Sequence, residues 1–79
     1  MQTVKQAWDS FAQAVIPPDA PEVQYAECRR AFYAGAWAVL QGCALLGEPD
    51  VSEDAGVLWL SATEAELNVF AEDVKAGRA

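Results

Sequence analysis

The side chains able to do chemistry are few in this chain, and the most concentrated set lies in "QYAECRRAFYAGAW". Tyr25, Arg29 and Tyr33 are spaced by four, and Arg30, Tyr33, Ala34 and Trp37 form the adjacent stripe. On a helix, residues four apart lie one above the other. The spacing therefore sets a guanidinium between phenol rings. Arg29 can hold a phosphate through a forked pair of hydrogen bonds while Tyr25 or Tyr33 stacks a base. A structural role fits the same residues: Glu27 stands three before Arg30, and either arginine can pair with a carboxylate at an interface. Tyr25, Arg29, Arg30 and Tyr33 are the candidate ligand-binding residues, with both roles open.

Other chemistries lack their parts. There is no histidine, so the commonest general base near neutral pH is missing, and Ser10, Ser52 and Ser61 have no imidazole to activate them. Two cysteines alone are not a zinc set, and no GxGxxG or GxxxxGK[ST] phosphate loop occurs. The expectation is a protein that is not an enzyme and uses no cofactor or metal. Cys28 and Cys43 fall on one helix in this reading, roughly 22 Å apart, too far for one disulfide. Reduced thiols in a cytoplasmic protein are expected, with an intermolecular disulfide as the alternative.

The formal charge is −7, from 12 acids against 5 bases. Such a balance argues against general nucleic-acid binding, which needs clustered lysine and arginine. Eight of the acids (Glu48, Asp50, Glu53, Asp54, Glu64, Glu66, Glu72 and Asp73) fall between Arg30 and Lys75, where there is no base. That half is a solvated face or a surface for a basic partner. The N-terminus has no apolar targeting core. The uncharged run Ala31 to Gly47 is 17 residues, short of the roughly 20 that span a bilayer. No membrane association is expected.

Three helices position these residues, at about 3–16, 20–46 and 51–76, in a single helical domain over 1–79. Val4, Trp8, Phe11 and Val15 recur at one-face spacing in the first, with Thr3 as its cap. Pro17 and Pro18 end it. Asp19, Pro21 and Glu22 suit the start of the second, and Gly47 with Pro49 its stop. Asp50 with Glu53 resembles a capping box for the third, with Ser52 competing, and Val57, Leu60, Leu67, Phe70 and Val74 line one face before the Gly77 stop. No strand pattern or internal repeat is visible.

The long central helix is apolar almost all round after Arg30, and flanking helices of a 79-residue chain cannot cover it on every side. The fold class expected is all-α, three helices packed into a homo-oligomeric helical bundle. Ala31, Gly35, Ala38 and Gly42 make flat ridges that admit a close helix neighbour, so these, with Trp37, are the expected interface. Trp59 falls off the main face of the third helix and is either an interface anchor or an edge residue.

The segments "VIPPDAPEVQYAECRRAFYAGAWAVL" and "DVSEDAGVLWLSATEAELNVFAEDVKAG" resemble a family of small proteins of tailed bacteriophages and prophages. Its marks are a P-x-D-A linker, an "RRAFYAGA" centre and a last helix ending in "AG". The resemblance covers nearly the whole chain and implies a phage accessory protein in the bacterial cytoplasm; it carries over no site. Small phage accessory proteins often act in counter-defence. One way is sequestration of cyclic nucleotide immune signals by small helical oligomers, and another is direct binding of a host protein. Both are analogies of class and shape.

Overall fold

The computed structural model describes all residues, 1–79, and is all-helical: α1 (Val4–Val15), α2 (Glu22–Leu45) and α3 (Glu53–Lys75), with no strand. The long second helix is matched by the third, 24 residues against 23. The chain divides into two units, Met1–Gly42 and Cys43–Ala79.

In the first unit α1 is fixed at its start by a capping box. Thr3 Oγ1 accepts from the Gln6 amide at 3.1 Å, and the Gln6 side chain accepts from the Thr3 amide at 2.9 Å. Each bond satisfies an amide the helix itself leaves unpaired. Ile16, before the double proline, takes an extended conformation and ends the helix. The buried pair of α1 is Trp8, 2% exposed, and Ala12, 8%. That corrects the expected face: Phe11 is only partly covered, and Val4 and Val15 are exposed. The covered stripe is centred on Trp8 and Ala12, one turn apart, with Ile16 half-buried below them.

Tyr25 and Phe32, seven residues and so two turns apart on α2, supply the other side of this core. The Trp8 ring meets Tyr25 edge-on at 5.3 Å and Phe32 at 5.4 Å, and Phe11 lies 5.4 Å from Phe32. Such pairs add about 0.5–1.5 kcal/mol each beyond the area they bury. The Trp8 indole N–H donates to the Tyr25 hydroxyl at 3.2 Å, so burial leaves it satisfied.

In the second unit α2 ends without a left-handed glycine. Gly47 has an ordinary negative φ, and the last carbonyls are taken by tightened turns, Leu46 to Cys43, Gly47 to Ala44 and Glu48 to Leu45. Ser52 wins the competition to cap α3, accepting from the Ala55 amide at 3.1 Å. Its hydroxyl reaches the third residue of the helix, which is the orphan amide a cap serves. Gly77, at φ +75, closes α3: its own amide donates to Val74 and the Arg78 amide to Asp73. This double bond to the last turn needs the left-handed residue that glycine supplies without steric cost. No helix is long and apolar enough to cross a membrane.

Candidate functional site

All four candidate ligand residues lie on the first half of α2, and the structure divides them. Tyr25 faces α1, its hydroxyl accepting from Trp8, and belongs to the aromatic core. Arg29 lies over the Tyr33 ring, its guanidinium carbon 5.6 Å from the ring centroid. That is cation–π range. Arg30 is exposed on the neighbouring stripe, with Trp37 exposed two turns beyond it.

Neither arginine has a carboxylate partner. The ion pairs are Lys5–Asp9 at 2.9 Å, Lys75–Glu72 at 3.5 Å and Arg78–Asp73 at 2.9 Å. Glu27, the partner that spacing offers Arg30, does not take it. Arg29 and Arg30 are thus the two unpaired basic side chains in a chain of charge −7. The Lys5–Asp9 and Lys75–Glu72 pairs are exposed and solvent screens them strongly, while Arg78–Asp73 is partly covered on its acid side.

Concave surface exists on both sides of Arg29. A concavity of about 320 Å³ is lined by Ala26, Arg29, Arg30 and Tyr33. A smaller notch, about 190 Å³, is lined by Lys5, Trp8, Asp9, Tyr25 and Arg29. Small-molecule sites usually start near 300 Å³, so the first has room for a small ligand group and the second does not. Sequence spacing missed Lys5, because it comes from α1 and reaches Arg29 only through the helix pairing. Asp9, by its hydrogen bond and then by its charge, holds the Lys5 ammonium above the ordinary value of 10.5. Lys5 therefore stays cationic at neutral pH.

A larger concavity lies elsewhere. About 630 Å³ opens between the end of α1, the Pro17–Pro18 turn and the start of α2, lined among others by Asp9, Gln13, Glu22 and Tyr25. Its charged lining is carboxylate, which repels an anion, so the phosphate chemistry of the arginines does not extend there.

The expected interface residues are distributed across both units. Ala31, Gly35, Trp37 and Ala38 are exposed, Gly42 is half-buried, and a methyl group built on Gly35 meets nothing within 4 Å. Open space therefore surrounds the ridge at Gly35. Trp59 is half-buried, and its carbonyl accepts from the Thr63 hydroxyl at 2.8 Å. Cys28 and Cys43 are free thiols. No protein-family model, curated protein or solved structure matches this chain.

Proposed function

We propose that this protein is a small non-enzymatic accessory protein, of the phage counter-defence kind, that works as a homo-oligomer in the bacterial cytoplasm. It sequesters a phosphate-bearing small ligand such as a cyclic nucleotide. The observation that carries the reading is the unpaired state of Arg29 and Arg30 beside Tyr33, in a chain with acids to spare. A guanidinium that is free of carboxylate partners is available for a forked contact with phosphate, and that of Arg29 lies beside an aromatic ring. Tyr33 is half-buried, and Trp37 offers an exposed ring further along the same stripe for stacking a base.

Calorimetric titration with a panel of cyclic and linear nucleotides tests this. Arg29→Ala or Arg30→Ala removes a charge-assisted contact worth about 1.5–3 kcal/mol, so affinity falls roughly 10- to 100-fold. Variants that bind every nucleotide as the wild type does contradict the assignment.

A second reading, an acidic module that binds and inhibits a basic host or phage protein, draws on Glu64 and Glu66, exposed on α3 and free of ion pairs. Glu72 and Asp73 are engaged by Lys75 and Arg78, which narrows that surface. Capture of a basic partner that weakens from low to physiological salt would favour it.

A further inference from the structure

Lys5 is the one basic side chain of α1, and the pairing of α1 with α2 sets it beside Arg29 at the notch that also holds Trp8, Asp9 and Tyr25. Arg29 lines the neighbouring concavity too, with Arg30 and Tyr33. Three of the chain's 5 basic residues, drawn from two helices, therefore meet on one stretch of surface. All three belong to the unit Met1–Gly42, whose helices are fixed against each other by the contacts of Trp8 with Tyr25 and Phe32.

Like charges gathered in this way repel, and a nearby anion relieves them. Asp9 is the one acid that lines either concavity. It pairs with Lys5 at 2.9 Å, but the two side chains are 74% and 52% exposed, so solvent screens the bond. Asp9, by its hydrogen bond and then its charge, dominates the field at the Lys5 ammonium, and Arg29 opposes it as a neighbouring like charge does. Three cations less one carboxylate leave the cluster with a net charge of +2.

We propose that Lys5 is the third cation of the phosphate site and that the cluster selects a ligand whose phosphate carries two negative charges. The proposal rests on the reading of Arg29 and Arg30 given above and deepens it. The body of the ligand takes the side of Arg30 and Tyr33, where there is room, and its phosphate lies at Arg29, the residue common to both concavities. Lys5 approaches from the notch side. Its compact charge on a flexible four-carbon stem suits a phosphate contact of no fixed geometry. A phosphomonoester carries close to two charges at neutral pH and matches the cluster in full. A single phosphodiester carries one and leaves the match half made. Asp9 is the counterweight that holds Lys5 when the site is empty.

The test is calorimetric titration at low salt and pH 8 with adenosine 5′-monophosphate and 3′,5′-cyclic adenosine monophosphate. The two share base, sugar and phosphorus and differ in charge. The wild type is expected to bind the 5′-monophosphate about tenfold more tightly. Lys5→Gln cuts that ratio by about three- to fivefold, Lys5→Arg restores it, and Asp9→Asn raises it. A merely structural Lys5 would leave the ratio unmoved. Suppose instead that binding needs Arg29 but the ratio is near one, or is the same in Lys5→Gln as in the wild type. That result overturns the place of Lys5 and leaves the Arg29–Arg30 site standing. If neither nucleotide binds the wild type, the site and the place of Lys5 in it fall together.

Discussion

Tyr25 accepts the indole hydrogen of Trp8, and that bond commits its ring to the α1–α2 contact. Tyr33 has no such tie and supports Arg29 instead. The two tyrosines, equivalent by spacing, therefore respond differently to mutation. Tyr25→Phe strands the Trp8 donor and costs about 1–3 kcal/mol of stability in chemical denaturation, with nucleotide affinity unchanged. Tyr33→Ala removes a stacking surface and the guanidinium's support, and affinity falls about tenfold in calorimetric titration. Trp8→Ala empties the centre of the first unit at a cost of about 3–5 kcal/mol, enough to unfold it at room temperature. Local spacing made Arg29 and Tyr33 legible as a pair, since four residues on a helix fixes the neighbour. The claim of Trp8 on Tyr25 was not legible, because it depends on which face α1 turns to α2.

Among the elements, the ends were read more fully than the faces. Thr3 and Gly77 cap as their types require, because a cap is settled within a few residues. At α3 the choice between Asp50 and Ser52 turned on which hydrogen-bond acceptor stands three before an unpaired amide, and Ser52 does. Ser52→Ala should lower stability by about 1 kcal/mol in denaturant unfolding. The face of α1 was misread because Val4 and Val15 obey the right period and yet nothing packs on them. Periodicity marks a stripe able to be buried; a neighbouring element decides how much of it is. Gly35 separates the possible neighbours. With open space around its added methyl group, Gly35→Ala should stabilise α2 by about 0.8–1 kcal/mol. A loss of stability instead would place a second copy's helix against that ridge.

At the scale of the whole molecule, hydrophobic burial and net charge pull against each other. Every copy carries −7, so copies repel at low salt, and the proposed homo-oligomer has to overcome that repulsion by apolar burial. Salt screens the repulsion within a Debye length of about 10 Å at 0.1 M and leaves burial intact. Association should therefore tighten from low to moderate salt, read by sedimentation, while nucleotide binding at Arg29 and Arg30 weakens over the same range. The three-helix, all-α class followed from hydrophobic period and punctuation by proline and glycine. Which side chains of α1 are buried, Trp8 and Ala12, did not, because composition counts apolar residues without saying where they go.

The most direct measurement is the mass of the purified wild-type protein in solution by sedimentation equilibrium, at micromolar concentration and moderate salt. The account predicts a mass of two or more whole multiples of 8.5 kDa. A well-folded species at the single-chain mass would contradict it.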